Sequence, residues 1–304
     1  HYSPEDPAYD TVADPEAFRF HQAYLSYSGY DSTGRLGAQE ILLDNQRFIG
    51  NVGWRLNGQS FNAAALANHS ISNITLYYAY VDSINATDGT INHDRRYHLF
   101  NAEWNACPVS KLAAYAYLQR NESPGLDKLD TYGLRSWGTW ESFRHEALLA
   151  VQRDAYYGSL FGGMDIDVID FGAGIEYISG GNDENERFQT LNGTAHKFNG
   201  WADQFLGTGG GLEAGLVDLY GQVSAMAGEK LKLMGVYHYF NTADETAGGF
   251  KGEYGQEVDL MASYPVCPEF HLGANFAYYI KGDNDADNFT EDETVFWLRG
   301  TLHF

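Results

Sequence analysis

Cysteine, proline and positive charge are all scarce in this chain of 304 residues, which has two Cys, seven Pro and 19 Lys plus Arg against 41 Asp plus Glu. Cys107 and Cys267 stand apart in the similar contexts Ala106-Cys107-Pro108 and Val266-Cys267-Pro268, with no CxxC, no CxxCH and no Cys/His cluster. Zinc ribbons, dithiol redox chemistry and covalent haem are thereby excluded, no cofactor is implied, and the two cysteines read as small turn residues. A formal charge of -22 repels phosphates, so nucleic acid is excluded as a partner. Long apolar runs are missing too, and nothing approaches the roughly 18 to 20 residues of a transmembrane helix. Barrel strands pass under that test, because each needs only about 10 residues of alternating hydrophobicity. The chain begins with His1 rather than Met, which reads as a removed targeting segment or a fragment.

What is abundant is glycine (34) and tyrosine (22), distributed with a period of two. In Thr294 to Phe304, one face carries Phe296, Leu298, Gly300, Leu302 and Phe304, and the other Trp297, Arg299, Thr301 and His303. Leu272, Ala274, Phe276, Tyr278 and Ile280 alternate in the same way with His271, Asn275, Tyr279 and Lys281, and similar runs cover 73–82 and 230–240. Fifteen strands are expected, at 18–28, 34–43, 59–68, 73–83, 95–105, 110–120, 130–137, 142–153, 162–170, 172–180, 216–226, 230–241, 253–264, 270–281 and 293–304. Short connections (107–109, 227–229, 264–269) alternate with long polar ones (85–94, 241–252, 282–292, and the longest at 181–215). That layout predicts an all-β fold, a single transmembrane antiparallel β-barrel in a bacterial outer membrane.

Parity adds a constraint. If Phe304 lies on the periplasmic side, where an aromatic end residue serves as the assembly signal, the first of fifteen alternating strands descends from outside. Single-chain barrels have even strand numbers, since only a closed sheet leaves no backbone edge in lipid. An odd number of strands upstream is therefore expected, with residues 1–16 (Pro4, Pro7, Pro15 and five acids) as an extracellular loop.

Three stretches resemble one family. Ala13-Asp14-Pro15-Glu16 with Gln22-Ala23-Tyr24-Leu25, then Leu36 to Glu40 with Leu43 to Arg55, and Phe188-Gln189-Thr190 with His196 to Leu206 are similar to proteobacterial porins of the alginate-export type. The resemblance implies about three more strands before residue 13, giving an eighteen-strand barrel. It also implies a permeation role, although the family's anionic cargo needs an arginine-rich lumen and this chain carries 19 bases against 41 acids.

The loop around 186–206 mixes Phe188, Phe198, Trp201 and Phe205 with polar groups. Folded inward it would constrict a pore through Arg187, Gln189, His196, Lys197, Asn199, Trp201 and Asp203; otherwise it packs its aromatics on an outer rim. A charge on a strand must avoid lipid, because Lys or Arg at the bilayer midplane costs roughly 2 to 4 kcal/mol. Arg19, Arg35, Glu40, Glu103, Arg135, Arg144, Glu146, Glu257, Asp259 and Arg299 are therefore candidate lining residues, either for permeation or for pairing across an inner wall. Arg47 and Arg55 are cations for the pore mouth or partners in loop salt bridges. Asp283, Asp285 and Asp287 have alternate spacing, but the sixth position of that loop is not Gly and Thr294 fills the twelfth, so an EF-hand is excluded. A solvated loop or a weak divalent site remains. No Ser or Cys stands in a nucleophile motif, so no enzyme is expected.

The expected function is passive diffusion of a small hydrophilic solute, neutral or cationic, by a porin surrounded by lipid and lipopolysaccharide, with a homo-oligomer possible. Two alternatives are a polymer export conduit with an arginine-lined bore and a barrel sheathing a partner such as a cytochrome.

Overall fold

The structure, a computed structural model, describes residues 20–303 apart from 56, 122–127, 184, 207–211, 246, 248–251, 283–288 and 290. The expectations placed on residues 1–16, Arg19, Asp283, Asp285, Asp287 and Phe304 lie outside the described residues.

The described chain is a sixteen-stranded antiparallel sheet with one short 3-10 turn, Ala195–Lys197. Its strands are β1 (Ala23–Gly29), β2 (Ser32–Gln39), β3 (Ser60–Asn68), β4 (Ile74–Asn85), β5 (Ile91–Asn92), β6 (Arg95–Cys107), β7 (Ser110–Asn121), β8 (Leu129–Trp140), β9 (Phe143–Gln152), β10 (Ala155–Ile166), β11 (Ile169–Ile178), β12 (Leu216–Ala227), β13 (Leu231–Asn241), β14 (Glu253–Cys267), β15 (Phe270–Lys281) and β16 (Glu293–Leu302). Neighbours follow chain order, except that β5 pairs only with β4.

Fifteen of these strands correspond to the expected ones. The sixteenth, β5, occupies part of the 85–94 segment expected to be loop, and two residues are too short to show a period. The expected strands 162–170 and 172–180 are displaced: β10 begins seven residues earlier, at Ala155, and the turn falls at Asp167-Val168. Asp167 has φ 54°, a left-handed conformation that Asp tolerates, and Ile166 pairs directly with Ile169 across a two-residue hairpin. Gly162-Gly163 imitates a strand start but lies inside β10. Pro265, which cannot donate to a ladder, sits at a register shift in β14. Cys107 and Cys267 are exposed and free.

Contacts divide the chain into two compact units: His1–Ala106, Leu112–Leu134 and Thr190–Ala195 in the first, Cys107–Lys111, Arg135–Gln189 and His196–Phe304 in the second. In the second unit, residues paired across strands share a face, so the chemistry of each face can be followed from strand to strand. Leu260 pairs with Phe276 and Phe276 with Phe296, and this face, with Leu160, Leu219 and Leu298, is exposed. Leu298 reaches 77% exposure. The opposite face runs through Tyr220, His238, Glu257 and Tyr279 in register. The first unit has the same division: Leu36 pairs with Ala64, Leu66 with Tyr78 and Tyr78 with Phe100 on the exposed apolar side, while Arg35, Ala65, Ala79 and Leu99 share the other. Contiguous apolar surface of this extent requires an apolar partner, since isolated exposed Leu is ordinary but a continuous sheet face is not.

Candidate functional site

In the second unit residues 186–189 and 196–206, from the connection between β11 and β12, lie on the polar face. Phe188 is buried with its ring 5.4 Å from that of Tyr157 on β10. Gln189 and Gln152 exchange two hydrogen bonds of 2.8 Å, the Gln189 N–H donating to Oε1 and the Gln152 amide donating to the Gln189 carbonyl. Arg187 folds back, donating to the Gly181 carbonyl at 2.7 Å and to Glu213 at 2.8 Å. Further along, Asn199 donates to Glu176 on β11 and, at 3.1 Å, to Asp218 on β12. The Ala202 N–H donates to Glu257 on β14 at 2.7 Å, Gln204 donates to Glu293 on β16, and Phe205 enters an aromatic box of Phe240, Tyr254 and Phe289. Seven strands, β9 to β14 and β16, thus hold residues 186–189 and 196–206 down. His196 Nδ1 lies 2.6 Å from Asp203, and its ring meets Trp297 edge-on.

Beneath this loop four carboxylates converge: Glu176, Asp218, Glu257 and Asp259, all buried, the last two with 0% exposure. His238 stands among them, its Nδ1 2.9 Å and 3.0 Å from the Asp218 oxygens and its Nε2 3.7 Å from Asp259, with its ring stacked between Tyr220 and Phe240. Glu257 Oε2 and both Asp259 carboxylate oxygens have no hydrogen-bond partner among the described residues. Burying such groups is costly, and the loop's donors offset that cost only in part. Among the described residues no group of three or more His, Cys, Asp or Glu has the geometry to hold a metal ion. The two-residue spacing of Glu257 and Asp259 puts both on one face, as expected of lining residues, whereas Glu176, Asp218 and His238 come from other strands and carry no local signal in the sequence.

These contacts separate charge from acceptor capacity at Glu257. Glu257→Gln keeps an oxygen for the Ala202 N–H and removes a buried charge, so its unfolding midpoint should match or exceed that of the parent. Glu257→Ala orphans the N–H and should lose about 1 to 3 kcal/mol. Urea unfolding followed by tryptophan fluorescence checks both, and equal losses in the two variants would contradict this role.

Other basic candidates on the polar face are already engaged. Arg135 is nearly buried, donates to Glu146 at 2.8 Å and lies 4.2 Å over the Trp137 ring. Arg144 pairs with Asp170 and lies 3.7 Å from Asp165. Lys197 packs near the Phe198 ring, and burial pushes its ammonium below its ordinary pKa while the Glu146 carboxylate opposes that shift. Arg299 is exposed on the face of Trp297 and opposite Gly273.

In the first unit, residues 190–195 meet the connection between β2 and β3. The Asn192 side chain lies 2.6 Å from the Tyr97 hydroxyl, Gln59 donates to the Asn192 carbonyl at 2.9 Å, and the Thr194 hydroxyl donates to Gln46 at 3.0 Å. Arg47 is 3% exposed, while Arg55 lies over the Trp54 ring at 4.7 Å. Glu40 accepts from Asn51 at 2.8 Å and meets His21 at 3.0 Å; Arg35 lies 5.1 Å over Tyr24; Glu103 pairs opposite Thr75. Asp44, inside the 43–55 segment but not among the candidate site residues, accepts from Tyr117 at 2.5 Å and Asn101 at 3.1 Å.

No protein-family model and no curated protein matches this sequence. Solved structures match its fold. OccK5 (OpdH) of Pseudomonas aeruginosa superposes with a TM-score of 0.67 at 11% identity, covering 92% of this chain and 81% of its own. The outer membrane protein OpdK of the same organism gives 0.67 at 12% identity, with 92% and 78% covered. OpdK crystallised with vanillate gives 0.65 at 12% identity, with 92% and 77% covered. What this chain shares with them is the architecture of an all-β antiparallel sheet.

Proposed function

We propose that this chain is a channel of the bacterial outer membrane, through which small hydrophilic solutes diffuse without chemical change. The observation that carries the reading is the two-sided sheet: one face apolar and exposed on strand after strand, the other polar and overlaid by residues 186–189 and 196–206. A bilayer satisfies the first face, with lipid and lipopolysaccharide around it; water and solute satisfy the second. Exposed Trp104, Trp140 and Phe143 at strand ends suit an interfacial girdle. The likeness to the outer membrane protein OpdK supports the location. In this reading the sheet belongs to a closed barrel, expected at eighteen strands, and the loop narrows its lumen. The segments that resemble alginate-export porins, 43–55 and 196–206, lie where loop meets wall in their respective units, which favours a permeation role for both.

Acids dominate the polar face beneath the loop and basic residues are paired, so neutral or cationic solutes are favoured over anions. Planar-bilayer recording in a potassium chloride gradient tests this. Discrete conductance steps with a reversal potential of cation-leaning sign are expected; no steps, or strong anion selectivity, would contradict it.

A further inference from the structure

The polar face of the second unit carries a flat aromatic floor that the loop contacts do not explain. Phe161 on β10 and Tyr220 on β12 reach toward each other across β11, their rings 10° from parallel with centroids 6.3 Å apart. Between them β11 presents glycine at both inward positions, Gly172 and Gly174, which pair with Gly163 and Phe161 on one side and with Gln222 and Tyr220 on the other. A Cβ at Gly172 would overlap the Phe161 ring, and one at Gly174 the Tyr220 ring. The two rings therefore lie down on bare backbone rather than standing up from the sheet, and both remain half-buried rather than sealed.

The rim of this floor is polar and its charged groups are already engaged; on the Tyr220 side Glu176 accepts from Tyr157 and Asn199, and Asp218 accepts from Asn199 and meets His238. Arg144 lies 5.8 Å from the Phe161 centroid but is committed to Asp170; Glu146, opposite Phe161 in register, is committed to Arg135; Gln222 is neutral. An anion would meet a surplus of carboxylates, and a cation would have to displace the donors that already hold them. A purely apolar solute would desolvate the rim without return. A sugar meets both conditions: the C–H face of a pyranose stacks on an aromatic plane, and its hydroxyls both donate to and accept from flanking side chains. Resting on the channel reading above, we propose that Phe161 and Tyr220, floored by Gly172 and Gly174, form a stacking subsite for uncharged sugars, which makes short saccharides the preferred solutes.

Saturation-transfer difference NMR on the full chain, purified in a detergent without a sugar headgroup and probed with maltotriose, tests the subsite independently of conduction. Transfer to the pyranose C–H protons is expected. Phe161→Ala and Tyr220→Ala should each weaken binding about tenfold, whereas Phe161→Tyr and Tyr220→Phe should retain it. Absence of transfer, equal binding by the alanine variants, or binding of benzoate in place of maltotriose would overturn the proposal. A chain that conducts yet binds no sugar would sink this subsite alone, and one that binds sugar yet never conducts would sink the channel reading.

Discussion

Leu260→Arg is expected to block stable insertion of the chain into a bilayer. Leu260 lies at the centre of β14, is 50% exposed, and pairs with Gly235 and Phe276 on the apolar face. A guanidinium there sits near the midplane, at a cost of roughly 2 to 4 kcal/mol, a large share of a typical stability of about 5 to 15 kcal/mol. Its neighbour supplies the control. Met261 points to the other face, opposite Met234 and Asn275, so Met261→Arg meets water and polar groups and should fold with little loss. Refolding into liposomes, scored by heat-modifiable gel mobility, reads both: the folded band should be lost or strongly reduced for Leu260→Arg and kept for Met261→Arg. Equal behaviour would mean that the two faces do not meet different solvents.

Gly200→Val is expected to lift the loop from the wall and widen the path. Gly200 has φ +83°, a left-handed conformation that a β-branched residue resists, and its missing Cβ is the space in which the Glu257 carboxylate sits. Valine meets both penalties at once, which together exceed the roughly 1 to 3 kcal/mol of a strained backbone position alone. The flanking contacts, Asn199 to Asp218 and the Ala202 N–H to Glu257, then cannot form together. Since β-strand pairing is untouched, the sheet should persist. Single-channel conductance should rise severalfold, and trypsin should reach Lys197. Unchanged conductance with a displaced loop would show that residues 196–206 do not narrow the path.

Much of the fold could be read from alternation. In β13, β15 and β16 one face is apolar at every second position while the polar residues fall on the other, because each face must satisfy a different solvent. The reading slipped at β10, where Gly158, Gly162 and Gly163 carry no side chain to report a face. The site was legible only as a loop rich in aromatics. That Phe205 seeks Phe240 and Phe289, or Asn192 seeks Tyr97, depends on pairs 35 to 95 residues apart that leave no local trace. The acids illustrate both outcomes: the two-residue spacing of Glu257 and Asp259 announces a shared face, but nothing in that spacing announces the loop that covers them.

The placement of the two faces can be measured directly on β15. With Cys107 and Cys267 replaced by serine, single cysteines at positions 272 through 279 would be labelled with an environment-sensitive fluorophore and quenched by brominated lipid. Strong quenching at 272, 274, 276 and 278, with protection at 273, 275, 277 and 279, is the expected result. Uniform protection, or quenching in the opposite phase, would contradict a sheet whose apolar face stands in the membrane.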